Sequence, residues 1–177
     1  RKIPLGQKIY IDRDDFMLDP PKKFFRLGPD KDVRLRYGYV IHCDEVITND
    51  KGEVTELNCH YLPETFAGQK PADGRKVKGI IHWLEARHAV RAEVKLYDRL
   101  FKVEFPTSDK TIDFMTHFNS DSVHTMQNAF IEKSVADSAH DSYQFERLGY
   151  FCFDSKYDDP KSKRVLNRIV TLRDTWK

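Results

Sequence analysis

The 177 residues hold only three cysteines, Cys43, Cys59 and Cys152. That set is odd in number and widely spaced, which excludes a disulfide framework and points to a reducing compartment inside the cell, the cytoplasm. No apolar run approaches the roughly 20 residues a membrane span needs, so no membrane partner is expected. No cleavable leader opens the chain, which begins Arg1-Lys2-Ile3-Pro4 as if cut from something longer. Metal-ligand spacing is missing too: the seven histidines form no HxxxH pair, and the cysteines form no CxxC pair. Cys43 and Cys59 with the adjacent His42 and His60 could meet on facing strands. Strand alternation sends each histidine and its neighbouring cysteine to opposite faces, however, which argues against zinc. No GxSxG, GxxxxGK[ST] or GxGxxG occurs, so no nucleophile elbow or phosphate-cradling loop is written in these residues. Nothing in them reads as a catalytic centre, a metal site or a cofactor site.

Charge is balanced overall, with a formal net of +2, but it is sorted along the chain. From Lys22 to Arg36 six basic residues face two acidic ones; from Arg75 to Lys102 eight face three; from Lys161 to Lys177 six face one. Between Glu104 and Pro160 eleven acids outnumber four bases. Basic stretches of this kind build faces for phosphate, or else ordinary solvated loops.

The hydrophobic period is mostly two. Val33, Leu35, Tyr37, Tyr39 and Ile41 fall at every second position, Thr55, Leu57, Cys59 and Tyr61 alternate with Glu56, Asn58 and His60, Val77, Gly79, Ile81 and Trp83 with Lys78 and His82, and Ala92, Val94 and Leu96 with Glu93 and Lys95. Asn49-Asp50-Lys51-Gly52 between two such runs reads as a hairpin turn, with glycine free to take the left-handed position. Helix is scarce, with one short stretch predicted from Asp12 to Leu18, capped by Asp12, and another from Asp121 to Ile131. The chain is all-β, and short strands with many turns need their edges closed, which favours barrels.

Three patterns point to RNA. Within Tyr143-Gln144-Phe145-Glu146-Arg147-Leu148-Gly149-Tyr150-Phe151-Cys152-Phe153-Asp154, an aromatic run expected as a buried strand, Gln144 and Arg147 are side chains able to read a base edge. Alternation puts Arg34 and Arg36 on one face of one strand, about 7 Å apart, where two guanidiniums can grip neighbouring phosphates or a base edge. Phe24-Phe25 beside Lys22, Lys23 and Arg26 interleaves rings and cations, the composition that stacks and neutralises single-stranded nucleic acid. Lys23, Lys76 and Lys78 are candidates for contacts to the RNA backbone.

Four blocks then carry a resemblance. Gly74-Arg75-Lys76-Val77-Lys78-Gly79-Ile80-Ile81-His82-Trp83, Val94-Lys95-Leu96-Tyr97-Asp98-Arg99-Leu100-Phe101, the aromatic run, and Asn167-Arg168 through Leu172-Arg173-Asp174-Thr175-Trp176 follow one another as in the C-terminal anticodon-binding region of the glutaminyl-tRNA synthetase family. Ile9-Tyr10-Ile11-Asp12-Arg13-Asp14-Asp15-Phe16 resembles the block that precedes the family's distal barrel. The resemblance implies two tandem β-barrels of the ribosomal protein L25-like anticodon-binding fold. Residues 22–107 would form a distal barrel inserted into a proximal one made of residues 1–21 and 108–177. It implies further that Arg34 and Arg36 grip the first anticodon base, that Arg26 reads the third, and that Gln144 and Arg147 read the middle one. Their three-residue offset would place Gln144 and Arg147 on opposite faces of an ideal strand, so a strand end or bulge near Phe145 is expected.

Two departures stand out. Bacterial members often carry lysine just before the third-base arginine, where this chain has Phe25, so a more apolar pocket or reliance on Lys23 is expected. Relatives also have a segment before the position of Arg1, and an ATP-binding catalytic half with HIGH-type and KMSKS-type signatures; neither lies in these residues. The intact enzyme, a class I ligase, would attach glutamine to tRNA(Gln) with ATP and Mg²⁺. This stretch, needing no cofactor itself, would recognise the anticodon loop beside its own catalytic domain. A multi-synthetase complex is a further partner the resemblance allows, and DNA is not expected as one. The rival readings are a eukaryotic or archaeal-type glutamyl-tRNA synthetase, a free-standing RNA-binding module, and a protein-interaction domain that kept the fold.

Overall fold

The protein is seen in a computed structural model that describes residues 2–172. Arg1 and the stretch Arg173 to Trp176, which closes the last block of resemblance, lie outside the described residues. The chain divides into two compact units, one of Lys2–Arg87 and one that begins at His88.

The first unit contains β1 (Ile9–Ile11), β2 (Asp32–Leu35), β3 (Val40–Thr48), β4 (Val54–Leu62), β5 (Ile80–Ile81) and β6 (Trp83–Glu85). β4, β3, β2 and β5 form one sheet, antiparallel except for the parallel β2–β5 pair, while β1 and β6 form a two-stranded antiparallel ribbon. Alternation delivers Val33 and Leu35 to the interior beside Phe16, Leu27, Ile81 and Trp83. The expected Asn49–Gly52 hairpin turn joins β3 to β4, with Gly52 at φ +76°. Gly79 is required for another reason: a Cβ there would collide with the carbonyl of Phe25.

The second unit contains β7 (Val90–Tyr97), β8 (Val123–Ile131), α1 (Lys133–Ala136, a single turn), β9 (Ser142–Phe145), β10 (Gly149–Phe153) and β11 (Arg164–Val170). They form one sheet in the order β8-β7-β11-β10-β9, with β7 and β11 parallel. Ala92, Val94, Ile131, Phe151 and Leu166 make its core.

The all-β reading holds. Three expectations change. Asp121 to Ile131 is not a helix: from Val123 on it pairs antiparallel with β7, with one irregularity between Ala92 and Val94. Val123, Met126 and Phe130, whose spacing imitates a helix, sit exposed, whereas Ala129 and Ile131 face the core; pairing overrides local preference. The expected helix from Asp12 shrinks to a 3₁₀ turn, Arg13–Asp15, which Asp12 does cap by accepting from the Asp14 amide at 3.0 Å. Val33 to Ile41 is two strands rather than one, because the chain turns back at residues 36–38. Within the two units, β1 pairs with β6 in the first, and β7 pairs with both β8 and β11 in the second.

Candidate nucleic-acid interface

In the second unit, the aromatic run is a hairpin rather than a strand. β9 ends at Phe145, residues 146–148 turn, and β10 returns with Gly149 opposite Phe145 and Tyr150 opposite Gln144. The strand end expected near Phe145 is therefore present. Cross-strand partners share a face. Gln144 and Tyr150 both face solvent, while the Phe145 and Phe151 rings stack at 4.7 Å behind them. Arg147 is exposed at the turn and takes φ +64°, a left-handed conformation uncommon for a residue with a long side chain. Gly149, at φ +136°, completes the turn where a Cβ would strike the backbone of Val170.

At the far end of the same motif lies Asp154, which the sequence did not single out. Its buried carboxylate accepts from the Asn167 side-chain amide (2.9 Å), the backbone N–H groups of Lys156 and Tyr157 (2.9 Å each) and the Lys95 ammonium (3.3 Å). These donors, Asn167 first, hold its carboxyl well below the usual carboxylate range. One side chain thus ties β7, the end of β10 and β11 together beneath the strand that carries Tyr150. An Asp followed by Ser-Lys-Tyr at a strand end was the available signal, because that short carboxylate caps turns.

In the first unit, β2 presents Arg34. Its guanidinium donates to the backbone carbonyls of Thr65 (2.7 Å), Gln69 (2.6 Å) and Gly38 (3.4 Å). Arg34 therefore spends donors on tying the segment 63–69 to the turn after β2. That segment has little ladder of its own: two 3₁₀ turns meet at a kink, with Phe66 extended and Ala67 at φ +52°. Thr65, fully buried, is its second anchor; its hydroxyl accepts from the Val40 amide at 2.8 Å and donates to the Leu62 carbonyl at 2.6 Å. We expect Arg34→Ala, and Arg34→Lys nearly as much, to cost about 2 kcal/mol, since hydrogen bonds from a charged donor contribute more than neutral ones. Amide exchange should speed up at residues 63–69 and stay unchanged in β3; equal protection at 63–69 would contradict the clamp.

Arg36 follows in the turn, its N–H still bonded to the Ile81 carbonyl at 2.9 Å, so the alternation that groups it with Arg34 persists that far. Its guanidinium carbon lies 5.7 Å from the Tyr37 ring centre. Arg26 is half-buried. It donates to the Asp14 carbonyl (2.7 Å), meets Asp15 (3.3 Å) and lies 5.7 Å from the Phe24 ring. Together with Arg13, Asp14, Met17, Leu18 and Phe24 it lines an open groove of about 710 Å³. The Phe24-Phe25 stretch is not a strand, and neither ring is fully buried: Phe24 is half-buried and Phe25 exposed, with the Lys78 ammonium 5.1 Å from its centre. Lys23, Lys76 and Lys78 are exposed.

One of the basic residues is already neutralised within the protein. Arg75 is held by Asp32 (2.5 Å) and Asp73 (2.7 Å), and the carboxyl of Asp73 is held below its usual range, first by the Arg75 backbone N–H and then by its guanidinium. His42 likewise contacts Asp32 at 2.8 Å and Asp30 at 3.2 Å. Among the described residues no group of three histidine, cysteine, aspartate or glutamate side chains could hold a metal ion, and no helix is long and apolar enough to cross a membrane.

Gln144 and Arg147 thus stand on a hairpin of the second unit, and Arg34 and Arg36 beside a turn of the first. Two profiles of one family, tRNA synthetases class I (E and Q), anti-codon binding domain, match residues 1–62 and 80–154. The chain belongs to that family. Curated relatives named glutamine–tRNA ligase, from Bordetella avium (strain 197N) and Yersinia pestis (strain Pestoides F), are each 48% identical over 177 residues, 99% of this chain. The chain spans about 30% of the length of the relatives it matches.

Proposed function

We propose that this chain recognises the anticodon loop of tRNA(Gln) within a cytoplasmic glutamine–tRNA ligase, whose remaining part joins glutamine to the tRNA with ATP and Mg²⁺. The observation that carries the reading is the β9–β10 hairpin, which holds Gln144 on a solvent face and Arg147 at a left-handed turn, in a chain of the anticodon-binding family. A side-chain amide and a guanidinium can satisfy the edge of an unstacked uridine, the middle base of every glutamine anticodon. Arg36 attends the first base, with Arg34 as the post that fixes the rim beside it. Arg26 attends the third base in the groove it shares with Phe24, and Phe25 in place of lysine makes that surroundings more apolar. Lys23, Lys76 and Lys78 meet phosphates, as exposed ammonium groups do.

The catalytic part of the same protein is the expected partner, and a multi-synthetase complex a further one. The test is binding of anticodon stem-loops at one fixed salt concentration, because phosphate contacts make affinity salt-dependent. Stem-loops with CUG or UUG should bind at least tenfold tighter than those with CUC or UUC. Equal affinity for the two sets removes the glutamine assignment, and preference for CUC and UUC hands it to a glutamate-specific synthetase.

A further inference from the structure

We infer that Tyr37 is a stacking platform that takes one unpaired nucleobase of the bound RNA, with Arg36 beside it. The inference deepens the RNA-binding reading above and rests on it. Tyr37 is 75% exposed, more than any other large hydrophobic side chain among the described residues. It also adopts φ +60°, a left-handed conformation that is costly for an aromatic residue and that glycine or asparagine would take more readily. A tyrosine there suffers backbone strain and leaves its ring in water. Neither contributes to folding, so the strain points to a use outside the free protein.

The turn is built to keep that conformation. The Leu35 amide bonds the Tyr39 carbonyl at 2.9 Å, and the Gly38 amide bonds the Leu35 carbonyl at 2.8 Å. The indole N–H of Trp83 donates to the Arg36 carbonyl at 3.0 Å, and Arg34 holds the Gly38 carbonyl from the other side. Gly38 is itself buried, 3.8 Å from the Trp83 ring by the position a Cβ would occupy. Tyr37 therefore projects from a rigid apex, which limits the entropy lost when a ligand stacks on it.

The neighbourhood suits a base with its phosphate. Tyr39, on the far side of the turn, packs against Tyr61 at 5.1 Å and Phe66 at 5.0 Å, and both of those rings are about half exposed. Arg34 joins this aromatic group to the turn through the Thr65 and Gly38 carbonyls. Rings and a guanidinium at one rigid edge, with Lys76 and Lys78 on the segment leading into β5, are the combination that stacks bases without reading their edges. An apolar protein partner would have no use for the cations.

The test uses the full-length protein and a CUG anticodon stem-loop carrying 2-aminopurine at each loop position in turn. Stacking on Tyr37 should quench the probe at one position. Tyr37→Ala should abolish that quench and weaken binding about tenfold, while Tyr37→Phe and Tyr37→Trp retain both. The slope of affinity against salt should not change in Tyr37→Ala, since no phosphate contact is lost. Because the site is an exposed turn, Tyr37→Gly should unfold no earlier than the wild type, so lost binding cannot be blamed on lost fold. If Tyr37→Ala binds and quenches like the wild type, stacking is wrong and the RNA reading stands. If the wild type binds no stem-loop at all, the RNA reading fails and stacking falls with it. Binding weakened by a steeper salt term with the quench unchanged also overturns the platform, leaving Tyr37 as a support for Arg36.

Discussion

Replacing Gln144 and Arg147 together by alanine is expected to weaken binding of a CUG stem-loop by about 2–4 kcal/mol, roughly 30- to 1,000-fold. It should also remove the preference for uridine over cytidine at the middle anticodon position. The size follows from what is lost. Both side chains stand on the solvent side of the β9–β10 hairpin, so truncation opens no cavity and leaves the stacked Phe145–Phe151 pair untouched. The cost then falls on the complex, where the uridine edge would be left without partners in a desolvated pocket. Each single substitution should give part of the effect, and a double-mutant cycle across protein and base would show coupling between Gln144 or Arg147 and the middle base. Circular dichroism and Tm should stay at wild-type values. A double variant that still prefers uridine would mean that the middle base is read elsewhere.

Asp154→Asn is expected to cost about 3 kcal/mol of stability at neutral pH, more than any surface change in the second unit. The carboxylate satisfies four donors from two strands and a turn, and an amide in its place must point N–H groups at some of those N–H donors. Lys95 would then keep a charge at a half-buried site with its partner removed. The pH dependence has a definite sign. The folded carboxyl lies below its ordinary value of about 3.9, so between the two values the unfolded chain binds more protons than the native one. Its contribution is complete above that ordinary value and is lost as pH falls through the depressed one. Thermal unfolding followed from pH 6 down to pH 2 should show the wild type losing more than Asp154→Asn; parallel curves would show that the network does not hold the fold.

Much of the first unit could be read in advance because its strands alternate cleanly. Val33 and Leu35 pointed inward, and Asn49 to Gly52 turned. The reading failed where the chain reverses without a strong turn signal. Arg36-Tyr37-Gly38 sits inside an unbroken alternation of apolar residues, so period alone runs β2 into β3; only the left-handed tyrosine reveals the corner. The same happened at Glu146-Arg147-Leu148, although the faces implied for Gln144 and Arg147 required a break near Phe145, and the break is there. Val123 to Ile131 misled because its exposed apolar residues fall at helical spacing, while the partner strand β7 that decides the matter is more than 25 residues away in the chain. The reach of Arg34 to carbonyls 31 and 35 residues ahead, and the gathering of four donors around Asp154, are contacts that only the folded topology creates.

The two corners have something else in common. At each, a residue with a Cβ and a long side chain holds the left-handed conformation that glycine would take at lower cost. A population of this protein selected for heat resistance alone would be drawn toward glycine at both corners, because the exchange relieves the backbone there. Tyr37→Gly and Arg147→Gly would be tolerated, even favoured, in a laboratory screen that never offers tRNA. On the RNA-binding reading proposed above, the bulkier residue at each corner carries a small standing cost in stability that binding offsets.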